Sequence, residues 1–243
     1  DLHGRSYGRL RRPDARIAAR VHAALGDART VLDVGAGTGS YEPADRWVLA
    51  VEPSAVMRGQ RPEGAAPALD ASAEALPFDD GAFDAAMACV TIHHWRPPGA
   101  GLAELRRVAR GAVVVLTFDL DALAPWQIEF LREGLEIERT RFPSIDDVRA
   151  ALGGRTTVET IPTPADCSDG FFEAFWRRPE ALLDADVRSA QSMWALLEPR
   201  VEQTMVARLA AALESGAWEA EHGYLRREAQ FEGSLRLVVS HPS

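Results

Sequence analysis

An acidic residue inside a short apolar run, followed by three alternating glycines, constrains the fold of this chain more than any other feature. The segment VLDVGAGTG occupies residues 31–39 and predicts a buried strand that ends in a turn with little side-chain bulk. Because glycine has no Cβ, the backbone of such a turn can lie close against a ligand. Dinucleotide sites use the spacing G-x-G-x-x-G, with a pyrophosphate over a helix N-terminus. The spacing G-x-G-x-G of this turn differs from that dinucleotide pattern.

Strand and helix patterns alternate over about the first 120 residues, which is typical of a doubly wound parallel sheet. A helix is predicted over residues 13–25, where Ile17, Val21 and Leu25 fall on one face. The strands are predicted at residues 31–34, 47–51, 68–69, 83–90, 113–118, 156–161 and 235–239. The last is expected to pair with a strand near residues 224–231. The predicted fold is a Rossmann-like α/β sheet of seven mostly parallel strands.

The length of 243 residues predicts a single domain with a sizeable core. We expect the core to comprise about residues 13–120, 154–163 and 220–243. Two mostly helical insertions, about residues 121–153 and 164–219, are expected to form a cap over the carboxyl ends of the strands. Ligands bind at those ends in open α/β sheets.

The composition excludes several classes of function. The net charge of −9 argues against nonspecific binding to nucleic acid, and no apolar run approaches the roughly 20 residues of a membrane span. All 27 basic residues are arginine, which excludes Schiff-base and P-loop lysines. Cys89 and Cys167 form no C-x-x-C pair, so neither a disulfide framework nor a zinc site is expected. The start of the sequence shows no apolar targeting segment, and a cytoplasmic location is expected. The oligomeric state stays open.

Polar residues follow the next two predicted strands. Glu52 ends the second strand, where a carboxylate can accept hydrogen bonds from both hydroxyls of a ribose. Asp70 and Ala71 end the third strand, where the carboxylate can accept from the exocyclic amine of adenine. Met57 is placed to lie against the adenine face, and Asp33 lies beside the turn, near the expected position of an amino-acid ammonium group.

Together these segments resemble the class I S-adenosylmethionine-dependent methyltransferases, in the small-molecule branch that includes quinone and natural-product enzymes. The resemblance covers about residues 7–119 and rests on VLDVGAGTG, LAVEPSAVM, LDASAEALPFDDGAFDAAM and VVVLTFD. It implies an enzyme with S-adenosylmethionine as cofactor and S-adenosylhomocysteine as product. The cofactor contacts expected from the residues and from the resemblance are Tyr7, Arg12, Asp33, Gly35, Ala36, Gly37, Gly39, Glu52, Pro53, Met57, Asp70, Ala71, Val90 and Thr91. Of these, Tyr7 and Arg12 would belong to an N-terminal lid.

The chain departs from this family in one place. Only seven residues separate Gly39 from Trp47, so the long helix that usually follows such a turn does not fit. A contribution from a helix macrodipole is therefore weakened, and the N–H groups of the glycine turn are expected to hold the ligand largely by themselves.

The end of the fourth strand reads TIHHW and is expected to face the reacting methyl group. His93 or His94 is a candidate general base for a phenol, hydroxyl or amine acceptor, because the pKa of histidine lies near working pH. The alternative is that both histidines are structural. Two adjacent histidines without a third ligand predict no metal site. The Asn/Asp-Pro-Pro-Tyr motif of nucleic-acid and peptide-amide methyltransferases does not occur, since the chain has no asparagine.

The expected activity is methyl transfer to O, N or C of a small organic acceptor, with a mild preference for oxygen. The residues expected to line an apolar acceptor pocket are Trp95, Trp126, Phe130 and Trp176, although aromatics at helical spacing usually belong to a core. One alternative is another reaction of the same cofactor on this scaffold, such as a cyclisation or decarboxylation. A second is a non-catalytic ligand-binding protein, and an NAD-dependent oxidoreductase is a weaker third.

Overall fold

A computed structural model describes residues 10–242 of the chain. The strands are β1 Thr30–Val34, β2 Trp47–Val51, β3 Ala68–Leu69, β4 Ala85–Cys89, β5 Val113–Phe118, β6 Arg155–Thr160, β7 Thr163–Pro164, β8 Gln230–Phe231 and β9 Leu235–His241. The α-helices are α1 Ala15–Ala24, α2 Ala55–Gly59, α3 Pro98–Val108, α4 Pro125–Phe130, α5 Arg132–Arg139, α6 Ile145–Leu152, α7 Ala185–Ser189, α8 Ser192–Ala195, α9 Pro199–Glu214 and α10 Ala217–His222.

Within the described residues, seven strands form one sheet in the order β3-β2-β1-β4-β5-β9-β6. Strand β1 pairs in parallel with β2 and β4, β2 with β3, and β4 with β5. Because parallel strands end at the same edge, the segments that follow β1, β2, β3 and β4 meet there. The predicted seven-stranded, mostly parallel sheet is confirmed.

The chain divides into two compact units. The first, here called the sheet unit, comprises Ala15–Asp119, Phe142–Thr160 and residues 236–242. The second, the helical unit, comprises residues 10–14, Leu120–Arg141 and Ile161–Leu235. The placement of the helical unit over the strand ends stays a prediction.

The bounds of the two units differ from the expected ones. Helix α6 was expected in the cap, but it belongs to the sheet unit because Val148 and Leu152 are buried in the same apolar cluster as the sheet residues. Residues 220–235 were expected in the core, but they belong to the helical unit, where Trp218 and Leu225 join another cluster.

The expected pairing of the last strand is wrong. Residues Gly223–Arg227 form a 3-10 helix, and β8 pairs antiparallel with β7 instead. Strand β9 pairs antiparallel with β6 and lies between β5 and β6 in the sheet. The burial of the strands explains the choice, because most of β9 is buried whereas the two residues of β8 are not.

Each unit has its own apolar core. In the sheet unit all six residues of β5 are buried, as is usual for parallel strands covered on both faces. Helix α3 buries Leu102, Leu105 and Val108 against it. In the helical unit Trp126, Trp176 and Trp218 are fully buried. No helix in residues 10–242 combines the length and apolarity needed to cross a bilayer.

Shortening Leu105 tests the core of the sheet unit. Leu105 is completely buried, so Leu105→Ala leaves a cavity and is expected to lower the free energy of unfolding by about 2–5 kcal/mol. The same substitution at half-exposed Leu69 is the matched control and should cost less than about 1 kcal/mol. Urea denaturation followed by circular dichroism measures both, and equal losses would contradict this packing.

Candidate functional site

The three alternating glycines form the turn that follows β1, and each has a positive φ: 70° at Gly35, 54° at Gly37 and 91° at Gly39. At Gly35 space also requires glycine. A Cβ on Gly35 would collide with the side chain of Thr91, and a Cβ on Gly37 would lie 3.3 Å from Cε of Met57. The turn is therefore a backbone surface, as the glycine spacing predicts.

The N–H groups of this turn are already engaged within the protein. Those of Gly35 and Ala36 donate to the carbonyl of Val51, at 2.8 and 3.1 Å. The N–H of Gly37 donates to Oε2 of Glu52 at 2.9 Å. The expectation that the N–H groups of the turn hold the ligand largely by themselves is wrong for Gly35, Ala36 and Gly37, because the turn folds back against the end of β2 and uses these donors there.

Glu52 joins the glycine turn to the segment after β2. Its side chain is buried, and besides the Gly37 bond its Oε1 accepts from the N–H of Ser54 at 2.8 Å. Ser54 in turn caps α2, since its Oγ accepts from the N–H of Met57 at 3.2 Å. The carboxylate is thus fixed in orientation at the strand end, where Pro53 is the exposed neighbour.

Asp33 is the buried acid of the site. Only 1% of its surface is exposed, and its Oδ2 has no hydrogen-bond partner among residues 10–242. Burial raises the pKa of the Asp33 carboxyl well above its ordinary value. The charges of Glu42 and Glu52 raise this pKa further, while the charge of Arg61 opposes them. A buried, unpaired carboxyl oxygen of this kind suits a cationic or hydrogen-bond-donating ligand group.

The residues after β3 are more exposed to solvent than Asp33 and Glu52. The Asp70 side chain is largely exposed and forms an ion pair with Nη2 of Arg58 at 2.9 Å. The Nη1 of Arg58 donates to the carbonyl of Glu52 at 2.6 Å. Arg58 therefore links the ends of β2 and β3, with Ala71 half-buried beside them. Sequence analysis identified Asp70 but not this arginine.

The end of β4 approaches the glycine turn from the other side. Val90 has φ of 53°, a conformation that is unusual for a β-branched residue. Its N–H donates to the carbonyl of Leu116 at 2.8 Å. Thr91 is buried where a Cβ on Gly35 would collide with it. This strained backbone turns the chain directly after β4, next to the glycines.

His93 and His94 lie in the 3-10 turn Ile92–His94 and differ in surroundings. His93 is buried, with its ring stacked on Phe142 at a centroid distance of 4.2 Å. His94 is exposed, its ring 4.0 Å from that of His93, and its backbone N–H donates to the carbonyl of Thr91 at 2.8 Å. Of the two imidazoles, that of His94 is the exposed one.

The four aromatic residues expected to line an acceptor pocket lie in the apolar cores of the two units. Trp95 is buried in the core of the sheet unit, where its indole ring packs against Gly101 of α3. Trp126, Phe130 and Trp176 are buried in the core of the helical unit, and Nε1 of Trp126 donates to the carbonyl of Trp176 at 2.6 Å. The structure therefore gives all four aromatics packing positions, and their part in an acceptor pocket stays a prediction.

The role of Arg12 and Tyr7 in an N-terminal lid stays a prediction. Arg12 is exposed and belongs to the helical unit. Tyr7 lies outside the described residues.

A buried ion pair beside the turn was missed by sequence reasoning. Nη2 of Arg61 lies 2.5 Å from Oε1 of Glu42, and both side chains are at least nine-tenths buried. Arg61 also donates from Nη1 to the carbonyl of Gly37 at 3.2 Å. The sequence indicates only a loop at Arg61, since no local pattern reveals a partner 19 residues away.

The helical unit contains a cluster of possible metal ligands and a cysteine that could in principle act as a nucleophile. The side chains of Glu129, Glu221 and His222 place their ligand atoms within 4.8 Å of one another, with both glutamates exposed. Their closeness is the only observation among the described residues that points to a metal there, and exposed acidic groups are often close together without one. Cys167 is buried, and burial raises the pKa of its thiol to about 12, so it is not a nucleophile at neutral pH.

Comparison with known proteins decides the family. Residues 32–116 match the model of a methyltransferase domain. A protein of Anabaena variabilis, described as a methyltransferase of an antibiotic biosynthesis pathway, has a solved structure that is 30% identical, with a TM-score of 0.86 over 95% of this chain and 98% of that one. The chain belongs to the class I S-adenosylmethionine-dependent methyltransferases. Family membership confirms the resemblance read from the glycine turn and the cofactor it implies.

Two other relatives extend the comparison. The malonyl-[acyl-carrier protein] O-methyltransferase of Erwinia pyrifoliae is 31% identical over 140 residues, which are 54% of this chain and 53% of that protein. This methyltransferase chain thus spans about half the length of that curated relative. Geranyl diphosphate C-methyltransferase from Streptomyces coelicolor shares the fold, with a TM-score of 0.54 at 15% identity over 93% of this chain and 78% of that one.

The residues of this methyltransferase fit S-adenosylmethionine. The glycine turn exposes backbone without a Cβ at position 37, and Asp33 offers a buried carboxyl oxygen that lacks a partner among the described residues. The cofactor carries an ammonium and a sulfonium group, which a site with three carboxylates near one guanidinium accommodates electrostatically.

The pH dependence of stability tests the burial of Asp33. Because its folded-state pKa is raised, the wild type is expected to lose stability as pH increases from about 4 through that raised pKa. Asp33→Asn removes this loss, so the variant should become progressively more stable than wild type, by about 1.4 kcal/mol per unit of pKa difference.

Urea denaturation from pH 4 to pH 8 without cofactor measures this difference. Asp79→Asn, at an exposed position, is the matched control for removing one carboxylate. A stability difference between wild type and Asp33→Asn that does not change with pH would show that the carboxyl is not desolvated.

Proposed function

We propose that the chain binds S-adenosylmethionine at the glycine turn after β1 and transfers its methyl group to a small organic acceptor, with oxygen as the preferred atom. One observation carries the proposal. The carboxylate of Glu52, fixed by the N–H groups of Gly37 and Ser54, and the buried carboxyl of Asp33 border the same turn. A backbone surface between two acids suits a ligand with ribose hydroxyls at one end and a cationic group at the other.

The residues of the turn have binding and orienting roles in this proposal. The bound cofactor supplies an electrophilic methyl group on a sulfonium. Glu52 accepts from the ribose hydroxyls, and Asp33 accepts from the ammonium group. Met57, whose Cε lies close to Gly37, covers the adenine face. Asp70 and Ala71 contact the adenine edge, and Arg58 holds Asp70 in position.

Methyl transfer is an in-line displacement, so the protein must hold the acceptor atom on the axis of reaction and exclude water. We assign the general-base role to His94, because its ring is exposed while that of His93 is stacked on Phe142. A neutral imidazole there removes the proton of an acceptor hydroxyl as the new bond forms. His93 then supports the ring of His94 from behind.

Two observations support a small acceptor that is methylated on oxygen. The Erwinia relative is named for O-methylation of a malonyl group on a carrier protein, which supports an oxygen acceptor here. The net charge of −9 disfavours a nucleic-acid substrate. We also propose a reducing cytoplasm as the location, because neither Cys89 nor Cys167 forms a disulfide.

Cofactor binding tests the proposed site. Glu52→Ala removes the charged acceptor for the ribose hydroxyls and should weaken binding of S-adenosylhomocysteine by about 1–3 kcal/mol. Gly37→Arg fills the space beside Met57 and should abolish binding. Isothermal titration calorimetry measures both. Glu159→Ala, on the edge strand β6, is the control and should bind like wild type. Unchanged affinity in Glu52→Ala and Gly37→Arg would contradict the proposed cofactor site.

Turnover tests the proposed base. A screen of phenols, hydroxy compounds and carboxylates, including a malonyl thioester, for formation of S-adenosylhomocysteine identifies an acceptor. With an acceptor whose hydroxyl must lose a proton, His94→Ala should lower kcat by about 10²–10⁴-fold while cofactor affinity stays unchanged. A kcat equal to that of wild type would show that His94 is not the base.

Product analysis separates the alternatives. If the wild type binds the cofactor but does not convert it in the presence of any tested acceptor, the ligand-binding alternative is correct. If an added compound is converted while the cofactor stays intact, the scaffold performs another reaction.

A further inference from the structure

The glycine turn lacks the support that a following helix would give. Residues 40–46, all of them described, contain no helix, as their small number predicts. Tyr41 has φ of 69°, and its carbonyl lies 2.9 Å from Nε2 of His22. The turn therefore needs other contacts to keep one conformation, because the last residues before β2 are irregular.

Arg61 and Glu42 make such contacts with the turn. The Nη1 of Arg61 donates to the carbonyl of Gly37 at 3.2 Å, and its Nη2 donates to Oε1 of Glu42 and to the carbonyl of Ala66, at 2.5 and 2.8 Å. Oε2 of Glu42 accepts from the N–H of Ala66 at 3.3 Å. The pair joins the glycine turn to the loop that precedes β3.

The pair lies directly against the last glycine of the turn. A Cβ on Gly39 would lie 3.2 Å from Oε2 of Glu42 and 3.3 Å from Nη1 of Arg61. The side chains of Arg61 and Glu42 retain only 7% and 10% of their exposure. A buried guanidinium with several acceptors in fixed positions restricts both segments, because a planar fork tolerates little rearrangement.

Charge distinguishes this pair from an ordinary buried ion pair. Arg61 acts on Asp33 in the direction opposite to Glu42 and Glu52, so one guanidinium serves three carboxylates around the turn. The pair neutralises part of this charge in the free protein without removing the negative character that suits a cationic ligand.

We infer that Glu42 and Arg61 are positioning residues, which hold the glycine turn in its cofactor-binding conformation in place of the missing helix. This inference rests on the proposed cofactor site. The pair acts through the backbone of Gly37 and is not proposed to touch the acceptor. Its loss lowers the fraction of molecules with the competent turn, and the apparent dissociation constant rises in proportion.

Calorimetric titration with S-adenosylhomocysteine tests this inference on the full chain. Arg61→Met and Glu42→Gln should each weaken binding about tenfold to hundredfold, because hydrogen bonds to a buried charged group are lost. The double variant should be no weaker than the weaker single variant, because the two residues act as one unit. Where turnover is measurable, KM for the cofactor should rise while kcat at saturation stays near wild type.

Two further measurements separate positioning from loss of fold. Arg61→Lys keeps the charge but loses the planar fork, so it should fold and still bind more weakly than wild type. Hydrogen exchange of residues 35–42 in the free protein should be faster in the variants than in wild type. Arg188→Met and Glu202→Gln break a matched pair in the helical unit and should change neither readout.

The outcomes are distinguishable from failure of the proposed function. If wild type binds and Glu52→Ala weakens binding, while Arg61→Lys and Glu42→Gln bind like wild type, the positioning role alone is overturned. If wild type does not bind S-adenosylhomocysteine, or Glu52→Ala binds normally, the proposed site fails and this inference falls with it.

Discussion

The hydrogen bond from the Gly37 N–H to the carboxylate of Glu52 is the contact on which the site depends. It joins the turn after β1 to the end of β2, two segments that meet because their strands pair in parallel register. A bond to a charged acceptor contributes about 1.5–3 kcal/mol. It also fixes the carboxylate at the strand end, so one interaction shapes the turn and orients the acid.

The ionisable groups around this turn lower the stability of the free protein, and the same groups suit a cationic ligand. Asp33 is desolvated, and its neighbours Glu42 and Glu52 add to the unfavourable energy of its ionised form. A protein selected for stability alone would gain by replacing it with a neutral residue. In the cofactor site that we propose, the same unpaired oxygen is useful, because a cationic cofactor would supply the missing partner.

The sequence predicts this sheet and its strand ends well, because both follow from local patterns. Glycine spacing indicates the turn, and acids such as Glu52 mark the ends of apolar runs. The Glu42–Arg61 pair and the antiparallel pairing of β9 with β6 depend on contacts between distant segments, which no local pattern records. The same limit applies to Trp95 and Trp176, since an aromatic side chain can fill a core or line a pocket equally well.

A crystal structure of the protein with S-adenosylhomocysteine tests the central claim most directly. We expect the ribose hydroxyls within hydrogen-bond distance of Glu52 and the amino-acid portion against the glycine turn, with its ammonium group at Asp33. A nucleoside bound at another place in the chain, or ribose hydroxyls that leave Glu52 untouched, would contradict the account.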